Sequence, residues 1–392
     1  MFLLNILIIR SMDLVSYGQF SLLRNTANSV ENIISGALTP LSIREIAAKK
    51  TPNTIGAIII TNIIFLLFTF IALIVFKHWI SEKINFQDVD YMLMALICMI
   101  ASIKLSTMVQ SILVGYEHYK ENNSTSFYSC FISLFFIYIH GIESLNDAII
   151  SIVIFYTLDT LTKVFIILNK GVSFKGIKSY LYFFLSNSNY FIISTLFSIF
   201  SFWYLRTVLV QNENGFTELA YFDVSFQILT LIMILTGSTT NVLLPMLTQS
   251  TGSRAKILLM SFIVNTIIIT VACAFILIFK NIILNVFGQD YNNTQTHSTL
   301  NIMCIISVFF TFNSILNKYS VSIRKNKFIL ISNVIPSLFI LLLGVLLGIN
   351  NSYDLSLIYL YYYLISTLIY IILLLKYEKN KTNNNSTLHS KI

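Results

Sequence analysis

Charge is what this chain has least of. Only 11% of its 392 residues are Asp, Glu, Lys or Arg, against 56% that are hydrophobic, and the mean hydropathy is +0.78. A soluble fold of that composition is excluded, because its polar residues could not cover its core. There is no P-loop, no Gly-rich dinucleotide turn and no nucleophile elbow, which argues against ATP-driven transport by this chain alone. Cys98, Cys130, Cys273 and Cys304 all fall in apolar runs without metal-ligand spacing and are expected to be reduced core residues. His78, His118, His140, His297 and His389 sit at loops and ends with no shared spacing for a metal. A basic n-region and a small-residue cleavage site are also missing from the start. The opening run MFLLNILII reaches Arg10 after about nine residues, too short for a bilayer of about 30 Å, and reads as the end of a first helix whose beginning is absent.

What is present is a succession of apolar segments at roughly 1–11, 19–43, 54–76, 90–115, 126–140, 146–168, 183–210, 216–247, 256–279, 297–322, 328–349 and 355–375. The expected fold class is therefore an all-α polytopic membrane protein of about twelve transmembrane helices, the first truncated, with no stretch left for an aqueous domain. The net charge of +8 lies in short connectors such as REIAAKK, NKGVSFKGIKS and SIRKNK, a pattern of topology signals and lipid head-group contacts and not of nucleic-acid binding. About fifteen Lys and Arg follow the even-numbered segments, among them Arg44, Lys49, Lys120, Lys170, Arg254 and Arg324; the alternate connectors hold Arg10, Lys77, Lys83 and Lys280. That bias places both termini in the cytoplasm.

A weak repeat relates the halves at an offset of roughly 205 residues. YGQF leads to ISGALTPLSIREIA in the first half, LAYF leads to ILTGSTTNVLLPMLTQ in the second, and Pro40 and Pro245 occupy matching places. SILVGYEHYKENN after the fourth segment likewise matches SVSIRKNKFILISN after the tenth. The expected organisation is a six-helix lobe over 1–168, a cytoplasmic linker over 169–182, a second lobe over 183–376 and a tail over 377–392. Parallel repeats of this kind are a transporter arrangement.

The stretches Arg10 with MDLVSYGQF, GALTPLSIREIAAKK, NENGFTELAYFDVSFQ, PMLTQ and NVFGQDYNNT resemble the Wzx-type O-antigen flippases of the multidrug/oligosaccharidyl-lipid/polysaccharide (MOP) exporter superfamily. The resemblance spans nearly the whole chain and rests on diffuse patterns; the N-terminus departs from it by about half a helix. It implies two six-helix lobes around a central cavity in the bacterial inner membrane, open alternately to either side. The implied cargo is a polyprenyl-pyrophosphate-linked oligosaccharide, moved from the inner to the outer leaflet. A polysaccharide polymerase and a chain-length regulator are the implied protein partners. No cofactor is implied beyond a coupling ion, H+ or Na+.

Charges within the apolar segments mark where a mechanism would lie, since each costs on the order of 2.5–3.5 kcal/mol at mid-bilayer. Arg24 and Glu31 are seven residues apart and share a helix face, beside Asn25, Asn28, Ser29, Asn32 and Ser35. They line a substrate pathway or form an internal salt bridge. Lys104, among Ser102, Ser106, Thr107 and Gln110, lines the same pathway or belongs to a packed polar pair. Arg206, after Trp203 and Tyr204, stacks and charges a sugar site or anchors the helix at the interface. Asp159 and Asp223 are candidate coupling carboxylates, with capping or pairing to a nearby cation as the alternative.

Three functions compete. The flippase reading follows from topology, repeat and resemblance. An exporter of small cationic drugs would favour a cavity rich in carboxylates, whereas the strongest cavity candidates here are basic. A membrane polymerase or acyltransferase would need a large outer loop or an embedded histidine, and the chain has neither; no enzymatic activity is expected.

Overall fold

The computed structural model describes the course of residues 2–49, 51–174, 177–249, 254–323 and 325–389. These residues form α1 (Phe2–Ser11), α2 (Leu14–Lys49), α3 (Pro52–Ile84), α4 (Val89–Gly115), α5 (Tyr119–His140), α6 (Leu145–Leu168), α7 (Ile177–Val210), α8 (Gly215–Gln249), α9 (Arg254–Ile278), α10 (Lys280–Phe287), α11 (Thr294–Ser322), α12 (Asn326–Leu347) and α13 (Ser352–His389). A single 3-10 turn, Gln289–Tyr291, joins α10 to α11. Among the described residues there is no strand. Every apolar segment read from the sequence is a helix, and α10 is an additional one.

Among the described residues, nine helices are long and apolar enough to cross a membrane: α3, α4, α6, α7, α8, α9, α11, α12 and α13. The chain is an all-α polytopic membrane protein. α1 is too short, and α2 and α5 are diluted by polar residues such as Arg24, Asn28 and Glu31 or Glu121, Asn122 and Asn123. Exposure follows the solvent expected of a bilayer. Leu67, Phe68, Ile71 and Val75 project outward from α3, as do Leu259, Ile263, Ile267 and Val271 from α9.

The chain divides into two compact units. The first comprises residues 1–220 with 286–290. In it α2 packs along α4 and α7, α4 along α6, and α5 against α6. Its core joins Leu38, Leu41 and Ile46 of α2 to Ile55 and Ile58 of α3, Val109, Ile112 and Leu113 of α4, and Ile167 of α6. Close approach of backbones fixes two of these contacts. A Cβ on Gly18 would lie 2.1 Å from the carbonyl oxygen of Phe216, and one on Gly56 would lie 2.0 Å from that of Ser173. Local signals set the helix starts: Asp13 Oδ2 accepts from the amides of Val15 and Ser16 at 3.1 Å, and Ser144 and Asp147 form a reciprocal capping box on α6.

The second unit comprises residues 221–285 with 291–392. Here α11 packs along α13 and against α9, and α12 lies against α13. Phe222 meets the buried ring of Tyr359 edge-on at 5.1 Å. Pro336 lies inside α12, where its ring removes one backbone hydrogen bond. The repeat prolines Pro40 and Pro245 fall within α2 and α8, but their side chains lie outside the described residues. So do the side chains of Arg44, Lys49, Lys175, Lys178 and Arg324.

Candidate functional site: buried charge in the helical units

Within the first unit, α2, α4 and α6 bring polar side chains into a common interior. Glu31 and Lys104, each 2% exposed, meet through a shared hydroxyl. Lys104 Nζ donates to Ser35 Oγ at 2.6 Å, and Ser35 Oγ in turn donates to Glu31 Oε1. Thr107 Oγ1, one turn beyond Lys104, donates to the same carboxylate oxygen at 2.8 Å. The cluster is possible because Glu31 and Ser35, like Lys104 and Thr107, are spaced to share one face of their helix. Lys104 thus belongs to a polar pair, and that pair has a counter-charge one hydroxyl away.

Arg24 takes a different direction from the face-sharing expected of it and Glu31. Its Nη1 donates to Asn5 Oδ1 of α1 at 2.9 Å, and its guanidinium carbon lies 5.5 Å from the centre of the Phe20 ring. The cation–π contact and the amide oxygen hold it in an 8% exposed position.

Asp159 has a cation on its own helix. Lys163, four residues on, reaches Oδ2 at 2.6 Å, with side chains 1% and 4% exposed for lysine and aspartate. Ser106 of α4 donates to Oδ2 at 2.6 Å, and Ser126 of α5 donates to Oδ1 at 2.8 Å while accepting from Lys163 at 2.9 Å. Ions buried this deeply persist only when paired and fully hydrogen-bonded. Lys163 and Ser126 are the members that the sequence reading missed; the readable signal was the spacing of four between Asp159 and Lys163.

Arg206 is buried in α7 at 7% exposure. Trp203 does not join it in an open aromatic surface. Its indole Nε1 donates to Thr26 of α2 at 3.0 Å, and its ring lies 5.5 Å from that of Trp79 on α3. Tyr204 stacks instead with Phe200 at 6.2 Å.

In the second unit, Asp223 is 2% exposed on α8. Lower in α8, Thr239 Oγ1 donates to Asn265 Oδ1 of α9 at 2.7 Å, and Thr236 accepts from Thr311 of α11 at 3.4 Å. Neutral contacts of this kind carry no charge to flag them in a sequence. Among the described residues no group of three or more His, Cys, Asp or Glu could hold a metal ion.

By sequence, no family model and no curated protein matches this chain. By structure it is similar to transporters. An inward-facing multidrug resistance MATE family transporter of the MOP superfamily superposes with a TM-score of 0.72 at 14% identity, over 98% of this chain and 94% of that one. The eukaryotic MATE transporter AtDTX14 gives 0.72 at 12% identity, over 95% of this chain and 90% of the other. The lipid II flippase MurJ, in an inward closed conformation, gives 0.69 at 15% identity, over 95% and 84%. At these identities the likeness is one of fold: the chain has the fold of MOP superfamily transporters.

Proposed function

We propose that this protein is a flippase for a polyprenyl-pyrophosphate-linked oligosaccharide, an O-antigen repeat unit, moving it from the inner to the outer leaflet of a bacterial inner membrane. The observation that carries the reading is the fold shared with the lipid II flippase MurJ, joined to the burial of Arg24, Lys104 and Arg206 in α2, α4 and α7. Among the described residues the buried cations Arg24, Lys104, Lys163 and Arg206 are matched in number by the buried carboxylates Glu31, Glu45, Asp159 and Asp223, so an anionic head would be met by individual cations and not by a net positive interior.

Transport is alternating access by the two halves that the sequence repeat marks out, with both termini in the cytoplasm. Arg24 and Lys104 receive the anionic head of the cargo, and Glu31, held to Lys104 through Ser35, is the counter-charge that the pyrophosphate replaces. Arg206 extends the cationic path along α7. Asp159 and Asp223 are the carboxylates through which an ion, H+ or Na+, would be coupled, and a polymerase and a chain-length regulator act on the product. The second reading, export of small molecules, draws its support from the fold shared with multidrug transporters.

The test is gene deletion and complementation. Deleting the gene in a strain without a substitute flippase removes surface polysaccharide from a gel, and re-expression restores it. Unchanged polysaccharide in the deletion strain would turn the proposal over in favour of the small-molecule exporter.

A further inference from the structure

Arg10 and the outer face of α1 take no part in the proposed transport path. Leu3, Ile6, Leu7 and Arg10 follow one another at helical spacing, so they form one stripe along α1, and Leu3, Leu7 and Arg10 are exposed. Leu4, Ile8 and Ile9, on the opposite side of the helix, are buried. Phe131, Phe135 and Tyr138 repeat the same spacing on α5 and are also exposed. Between the two helices lies a groove of about 430 Å³ with aliphatic and aromatic walls. Arg10 stands in the last turn of α1, about 4.5 Å further along the axis than Leu7. It has no hydrogen bond or ion pair among the described residues. Asp13, the nearest carboxylate in sequence, is engaged by the amides of Val15 and Ser16.

We propose that this groove binds an anionic phospholipid, with one acyl chain between α1 and α5 and the headgroup phosphate on Arg10. The apolar walls match the chain, and the cation at the end of the same stripe matches the phosphate. A guanidinium suits that partner because its fork of donors holds two phosphate oxygens at once. From Phe131 to Tyr138 the groove runs about 10 Å along α5, against about 30 Å for the hydrocarbon core, so its occupant stays within one leaflet. A single arginine answers the single charge of a phosphodiester and leaves a pyrophosphate undercompensated, which separates this site from the cargo path. The lipid has a structural consequence as well. Asn5 of α1 accepts from Arg24, so a lipid that braces α1 also holds the partner of a buried charge.

The test uses the full chain in phosphatidylcholine vesicles containing a trace of a phospholipid with a photoreactive diazirine on one acyl chain. The probe is either phosphatidylglycerol or phosphatidylcholine, and the labelled peptides are read by mass spectrometry after irradiation. Phosphatidylglycerol is expected to label the α1 and α5 peptides about fivefold more than phosphatidylcholine, the ratio that one basic residue worth about 1 kcal/mol gives at about 1.4 kcal/mol per tenfold. The lipid-facing surface of α9 around Ile267 and Val271 should take both probes equally. Arg10→Gln should abolish the preference at α1 and α5, whereas Arg10→Lys should keep most of it. Leu7→Trp, which fills the groove, should lower α5 labelling by phosphatidylglycerol. Equal labelling of α1 and α5 by the two probes, an unchanged preference in Arg10→Gln or unchanged α5 labelling in Leu7→Trp would overturn the proposal. Displacement of the label by unlabelled polyprenyl pyrophosphate, at a level where unlabelled phosphatidylglycerol has no effect, would also overturn it and give the groove to the cargo.

Discussion

Replacing Lys163 with Met keeps the length and most of the volume of the side chain while removing its charge. The aspartate left behind is 3% exposed, and its carboxylate would then rely on Ser106 and Ser126 alone. Breaking a buried ion pair from one side costs about 3–5 kcal/mol, because the remaining charge stays desolvated. The two serine hydroxyls offset part of that loss, so Lys163→Met should destabilise the protein by about 3 kcal/mol. Asp159→Asn should cost a similar amount by stranding the ammonium. The double variant Asp159→Asn/Lys163→Met leaves no buried charge and should recover most of the stability, giving a coupling of at least about 2 kcal/mol in a double-mutant cycle. Unfolding titrations in mixed micelles, followed by tryptophan fluorescence, read all four proteins. A Lys163→Met loss below about 1 kcal/mol, or a double variant equal to the sum of the singles, would refute the claim that the pair balances its own charge.

Three further outcomes are expected. Glu31→Gln removes the counter-charge near Lys104 without changing shape; export of surface polysaccharide should fall at least tenfold at equal protein level, and a normal ladder would remove Glu31 from the transport path. Gly18→Ala places a methyl against the Phe216 carbonyl, so folded yield should drop, with a cost of about 1–3 kcal/mol in thermal unfolding; full tolerance would mean the backbones are further apart. Asp13 caps α2, and hydrogen bonds from Ser16 hold its carboxyl below the ordinary aspartate range. Since the folded value is the lower one, its contribution is complete above the unfolded pKa of about 3.9 and is lost as pH falls through the folded value. Asp13→Asn should remove that acid dependence while keeping the cap, as read by stability measured between about pH 2 and pH 6.

The helices were legible because lipid demands long apolar runs, which are clearest in the nine helices apolar enough to span and weakest in α2 and α5, where polar residues break them. What escaped was of two kinds. α10 is an eight-residue amphipathic helix, too brief for an apolar-run reading, and the polar first turns of α5 hid its start at Tyr119. Among the charges, type and position were readable but partners were not. Arg24 and Glu31 share a face by spacing, yet one turns to Asn5 of α1 and the other to Thr107 of α4, contacts fixed by how the helices pack. Lys163 stands four residues from Asp159, a spacing that puts both on one face of α6, but its place near the end of the apolar segment resembles that of an interfacial lysine.

The most direct measurement of the central claim is translocation by the purified protein. Vesicles carrying a polyprenyl-pyrophosphate-linked oligosaccharide in both leaflets are exposed to an impermeant sugar-oxidising reagent from outside. With the protein present, nearly all of the cargo should become oxidised, against about half in protein-free vesicles, because inner-leaflet molecules are brought out. Oxidation that stops at half in vesicles shown to contain inserted protein would contradict a flippase acting on this class of lipid.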